Sequence, residues 1–186
     1  MENGVKKEIW SYIKTLVVAL ILSFLIQQFL FQPYTVKGQS MMPNLEEGNK
    51  IIINKINYLH SKPERFDMVV LKSPNADEYL VKRVIGLPGE TVEYQDDVLF
   101  INSKPQKEPY LEDYKKQLLP FEQLTADFTL KEITDESKIP EGYILVLGDN
   151  RRISRDGRHF GLVKIDSVVG EVNMRYWPLK EVAFMN

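Results

Sequence analysis

From Thr15 to Val36 the chain carries no charged residue, and from Leu16 to Ile26 it is apolar apart from Ser23. At about 1.5 Å per residue, a helix through Ile9–Phe31 is long enough to cross the hydrocarbon core of a bilayer. A cleaved signal peptide would end in small residues, whereas this segment ends Gln28-Phe29-Leu30-Phe31-Gln32-Pro33, so it is expected to stay attached. Lys6, Lys7 and Lys14 lie on its N-terminal flank. The positive-inside tendency then puts residues 1–8 in the cytoplasm, 9–31 in the cell membrane as a single-pass anchor, and 32–186 outside.

Of the 186 residues, those beyond the anchor suffice for about one typical domain. The 24 Lys and Arg nearly balance the 26 Asp and Glu, so there is no basic excess of the kind nucleic-acid binding uses, and no nucleic-acid partner is expected. Cysteine is absent, which removes disulfides, thiolate zinc sites and cysteine nucleophiles together. Only His60 and His159 are present. Neither stands in a context that suggests a catalytic triad or a histidine metal cluster, and both read as surface or structural residues.

After Pro33 the pattern changes to short runs rich in Val, Ile and Tyr, separated by Gly, Pro, Asn and Asp. These are the marks of strands and tight turns, and the domain is expected to be mainly β. Strands are expected at 34–37, 50–54, 67–72, 79–85, 91–94, 98–101, 143–147 and 167–176, with a hairpin turn at Gln95-Asp96-Asp97. Residues 104–140 are charged, Pro-punctuated and weakly periodic. They read as a small insertion carrying little core.

Three places could carry chemistry. Ser40 sits in a Gly- and Pro-bounded turn, Gly38-Gln39-Ser40-Met41-Met42-Pro43, beside two methionines with an exposed look. Lys82 lies in Tyr79-Leu80-Val81-Lys82-Arg83-Val84-Ile85, where alternation leaves both strand faces largely apolar. Burying two adjacent cations is costly unless each is paired or, for the lysine, neutral. Arg83 therefore needs an acidic partner. Lys82 either snorkels to water or is desolvated into a usable base, and the strand alone leaves both readings open. The third place, from Gly148 to Arg158, is dense in polar groups. Asp149, Asn150, Arg151, Asp156 and Arg158 there are a solvated turn or an ion-pair framework that includes a partner for Arg83. Other chemistries fit less well, since Pro43 stands where penicillin-binding enzymes have a lysine three residues after the serine, and no Walker loop is present.

Together these segments resemble the bacterial type I signal peptidases, membrane-bound serine proteases with a Ser-Lys dyad. In the family's order come the anchor, Ser40-Met41-Met42-Pro43-Asn44-Leu45, residues 48–55, Arg65-Phe66-Asp67-Met68-Val69-Val70 leading to residues 79–90, and Gly148-Asp149-Asn150-Arg151. The single anchor and short middle excursion look most like enzymes of Gram-positive bacteria. The resemblance implies a signal-peptidase-like β-sheet or barrel domain that cleaves secretory preproteins after small side chains, next to the lipid bilayer, with no metal or cofactor. By motif position it implies Ser40 as nucleophile and Lys82 as general base, with Ser154 hydrogen-bonding and orienting that lysine. Asp156 and Arg158 would stabilise the site, with Asp149 and Asn150 in the supporting loop. Asn44, Asn49 and Gly157 depart from the family's usual threonine, aspartate and serine. Gly38 stands where some relatives have a serine that assists the oxyanion hole, so the hole falls chiefly to the Ser40 N–H.

Two other classes compete. A catalytically silent membrane-anchored binding protein of the same fold would have no need of a buried amine. A self-cleaving Ser-Lys repressor would carry a DNA-binding segment where this chain has its anchor.

Overall fold

β-branched residues recur wherever the chain must run between neighbouring strands, and the computed structural model shows how those strands assemble. It describes residues 2–29, 31–55, 58 and 61–185, with side chains described from 7–24 and from 32 onward. His60 lies outside the described residues.

A helix, α1, runs over Glu2–Phe29. Its apolar side chains Ile9, Leu16, Leu20, Ile21 and Phe24 are all exposed, so this part of the helix is not packed on the β domain. Among the described residues no helix is long and apolar enough to cross a membrane. The last part of the expected 9–31 span lies outside the residues with described side chains.

The strands are β1 Phe31–Thr35, β2 Lys50–Asn54, β3 Met68–Lys72, β4 Tyr79–Gly86, β5 Val92–Gln95, β6 Val98–Ile101, β7 Lys104–Gln106, β8 Phe128–Thr129, β9 Tyr143–Leu147, β10 Val163–Lys164, β11 Val168–Trp177 and β12 Ala183–Phe184. An 8-stranded sheet has the order β1-β2-β11-β3-β4-β9-β10, with β12 on β11, and a 4-stranded sheet has the order β7-β6-β5-β8. The Tyr34 hydroxyl on β1 donates to Tyr79 O on β4 at 3.2 Å. Three strands intervene between them in the order, so the larger sheet must curl to bring its first strand back to its fifth.

Most expected strands are found within a residue or two. β1 begins earlier than expected because Pro33 is tolerated there. Val36 bonds toward β2, so alternation turns residue 33 to the free edge, where a missing N–H costs no ladder bond. Asp96 and Asp97, with φ 50° and 64°, form the two-residue connection of the β5–β6 hairpin, the left-handed pair that such a turn requires.

The 104–140 segment differs from expectation. It contributes Leu111, Leu124, Phe128, Leu130 and Ile139 to the buried interior and supplies β7 and β8 to the smaller sheet. Its apolar residues are spaced by turns, so no periodicity betrays them. Phe128, Leu130 and Ile139 among them pack between the sheets with Ile85, Tyr94, Leu99 and Leu147. A second cluster, of Val36, Met41, Leu45, Ile53, Val70 and Val81, lines the larger sheet.

Candidate active site

β4 is the strand that positions Lys82. Residues 79–83 pair with β3, whereas β9 pairs only from Arg83 onward. Val81 packs in one apolar cluster and Val84 in another, so the strand is covered on both faces. Lys82 is 2% exposed, which rules out the snorkelling reading. Its Nζ donates to Ser40 Oγ at 2.6 Å. Burial is the main influence on its amine and favours the neutral form. It outweighs the opposing pull of Asp156, Asp149 and Glu78 and brings the pKa down to about 8. At pH 7 about one molecule in ten then holds a neutral amine, against about one in several thousand for a free lysine.

The Ser40 turn is anchored from below. Leu45 N–H donates to Met41 O at 2.9 Å and Met42 N–H to Gln39 O at 3.2 Å. The exposed look of the methionines in sequence is corrected here: Met41 is buried in the core with Leu45, and Met42 is half-buried. The apolar side chains after the serine thus fix the turn while the hydroxyl faces the lysine.

The loop after β9 closes the site from the other side. Asn150 donates from its backbone N–H to Ser40 O at 3.0 Å and from Nδ2 to Gln39 O at 3.2 Å. Gly148 passes so close beneath that a Cβ there would lie 2.5 Å from Ser40 O and nearer still to Ser154 Oγ. Only glycine fits this approach. Arg83 donates to both oxygens of Asp149, at 2.8 and 2.6 Å, and Asn44 Nδ2 donates to Asp149 Oδ2 at 2.8 Å. One buried carboxylate therefore ties the strand bearing Lys82 to the turn bearing Ser40. Asp156 accepts from Gly148 N–H and from Arg158 Nε, each at 2.9 Å. Burial alone would push its carboxyl up, but Arg158 and these hydrogen bonds hold it below the ordinary aspartate value.

Two expectations are corrected. Ser154 is buried beside Asp156, where its hydroxyl helps to hold that carboxyl down. The bond to Lys82 that the resemblance implies is not formed, and Nζ donates to Ser40 instead. Arg151 does not join Asp149 and Asp156 in one framework. It pairs with Glu108 at 2.6 Å and also donates to Tyr94 OH and Gly148 O. Reasoning from sequence missed Glu108, Tyr94 and Tyr110, and noted Asn44 only as a departure. A lone acid in the charged 104–140 stretch gives no sign that it will be buried against an arginine from another element. His159 is half exposed, and its Nδ1 accepts from the backbone N–H of Asp156 at 3.4 Å.

The site lies on an open edge. Ser73 N–H donates to Glu78 O, so Glu78 faces β3, and alternation turns the main-chain groups of Tyr79 and Val81 away from it. A cavity of about 90 Å³ beside them is lined by Gln32, Tyr34, Ile53, Lys55, Val70, Tyr79 and Val169. Neither Ser40 nor Lys82 lines this cavity or the larger ones of about 650 and 630 Å³.

The sequence model of the family described as signal peptidase, peptidase S26, matches residues 9–177. A signal peptidase I of Bacillus caldolyticus is 49% identical over 167 residues, which is 90% of this chain and 91% of that protein. A signal peptidase IB of Staphylococcus aureus (strain COL) is 41% identical over 180 residues, or 95% and 93% of the two chains. The crystal structure of a signal peptidase I from Enterococcus faecalis V583 superposes with a TM-score of 0.58 at 48% identity, covering 60% of this chain and 97% of that one.

Proposed function

Because this chain belongs to the signal peptidase family, peptidase S26, and is a type I signal peptidase, we propose that it cleaves signal peptides with Ser40 as nucleophile and neutral Lys82 as general base. The observation that carries this reading is the 2.6 Å contact between Nζ and Oγ at a lysine buried enough to lose its proton. Lys82 takes the Ser40 proton as Oγ attacks the scissile carbonyl. It then gives that proton to the leaving amine as the C–N bond breaks, takes one from the water that attacks the acyl-enzyme, and returns it to Ser40 Oγ as the ester C–O bond breaks. The Ser40 backbone N–H stabilises the oxyanion. Arg83, Asp149, Asn150, Asp156 and Arg158 hold the pair in place, and Ser154 is kept in the same reading as a supporting residue.

The substrate binds as an extended strand against the free edges of β1 and β4, which offer unpaired main-chain groups near Thr35 and Val81. Residues 9–31 anchor the chain, with 1–8 in the cytoplasm and 32–186 outside, and 104–140 forms an insertion in that outer domain. The exposed Leu16, Leu20 and Phe24 support the anchor, since water would disfavour such a contiguous apolar surface.

Purified full-length protein in detergent, given a precursor with an Ala-X-Ala region, tests the reading directly. Cleavage at that region is expected, and an intact precursor would refute it. The protonated lysine is inactive, so kcat/KM is expected to rise about tenfold per pH unit below about 8 and to flatten above it. A profile flat from pH 6 to 9 would exclude Lys82 as the base.

A further inference from the structure

Tyr110 belongs to the 104–140 segment, which the sequence marks as an insertion, yet it touches all three parts of the proposed site. It lies in the single turn Pro109–Leu111, which is pinned by the fully buried Leu111. Its ring covers the Arg83 guanidinium, with 3.9 Å from that group to the ring centroid. Its carbonyl accepts Asn44 Nδ2 at 3.1 Å. Its hydroxyl donates to Glu108 Oε1 at 2.7 Å and accepts from Arg151 NH2 at 3.2 Å.

Each contact leads to the chemistry by a short covalent path. Arg83 follows Lys82 on β4, Asn44 lies in the Ser40 turn, and Arg151 follows Asn150, which bonds Ser40 O. We infer that Tyr110 is a positioning residue for the Ser40–Lys82 pair, its ring and carbonyl fixing how far the lysine strand stands from the serine turn. The inference rests on the dyad proposed above. Tyr110 touches no reacting atom. Its influence passes through Arg83 and Asn44, and small displacements of reacting groups are enough to slow a reaction severely.

The test compares Tyr110→Phe and Tyr110→Leu in the full-length protein, measuring kcat, KM and the pH profile on the Ala-X-Ala precursor. Phenylalanine keeps ring and carbonyl, so kcat should stay within about threefold of wild type. Leucine removes the ring, and kcat should fall about 30-fold with little change in KM, in line with the cost of misplaced reacting groups. The bend in kcat/KM should stay near pH 8, since the ring covers Arg83 and not Lys82. A wild-type kcat in Tyr110→Leu, a rise in KM alone, or an equal loss in Tyr110→Phe would overturn the inference. Should the leucine variant not fold, Tyr110→Met keeps the carbonyl and much of the side-chain volume while lacking the ring over Arg83. A fall in kcat at constant KM is expected there, and an unchanged kcat would overturn the inference. Ser40→Ala separates the two claims: if it still cleaves, the dyad reading fails, whereas an inactive Ser40→Ala beside a fully active Tyr110→Leu sinks only the positioning role.

Discussion

Replacing Lys82 by methionine should cut the rate of precursor cleavage by about 10²- to 10⁴-fold, the usual weight of a general base, while making the folded protein more stable. The two effects have opposite signs for one reason. The folded lysine has its pKa lowered to about 8 by burial, whereas in the unfolded chain it titrates in the ordinary lysine range. Below pH 8 both states bind the proton and the folded state bears the whole cost of a buried charge. Between about 8 and the ordinary range the unfolded state binds more protons, so stability rises with pH and the penalty fades. At pH 7 the lost penalty is about 3 kcal/mol, less about 1 kcal/mol for the hydrogen bond to Ser40. Methionine should therefore gain about 2 kcal/mol in thermal or denaturant unfolding at pH 7, and progressively less above pH 8. A destabilised Lys82→Met protein would mean that the amine is held as a structural cation rather than kept ready to lose its proton.

The second large effect is expected at Asp149, whose side chain is 0% exposed and whose partner Arg83 is 6% exposed. Asp149→Ala leaves the guanidinium buried without its carboxylate, a situation that costs about 3–5 kcal/mol. The melting temperature of the full-length protein should fall by roughly 10 °C, taking about 2–4 °C per kcal/mol for a domain of this size. Activity should fall too, even below the melting range, because the same carboxylate joins Arg83 to Asn44. A variant within 1 °C of wild type would show that the pair contributes nothing to the fold.

The sequence exposes this site unevenly, for physical reasons. Lys82 and Arg83 stand out because two cations between apolar neighbours on a strand need an explanation, and the structure supplies one for each: Ser40 for the lysine and Asp149 for the arginine. Strands such as β2, β6 and β9 are legible because their apolar runs end at Gly, Asn or Asp. The two-residue strands β8, β10 and β12 are too short for any alternation to register. Glu108 and Tyr110 are invisible for another reason. Their partners lie 43 residues away for Glu108 with Arg151 and 66 for Tyr110 with Asn44, and nothing local distinguishes a buried acid from a solvated one. The resemblance to a family brings Ser154 to notice, but only the fold shows that its hydroxyl lies beside Asp156 while the lysine turns to Ser40.

The apolar helix bears on the proposed Ser40–Lys82 pair. Ser40 follows Phe31 closely enough that even a fully extended link keeps the proposed nucleophile within about 30 Å of the helix end. An anchor there would hold the open edges of β1 and β4 near the level at which a translocated signal peptide leaves the bilayer.

Cleavage of an Ala-X-Ala precursor by full-length Ser40→Ala in detergent tests the central claim most directly. The substitution removes one half-buried oxygen and should leave the melting temperature within a degree or two of wild type, since it costs little more than one hydrogen bond. The account predicts that the precursor then stays intact over the period in which wild type consumes it. Cleavage at the wild-type position by the folded Ser40→Ala protein would contradict it.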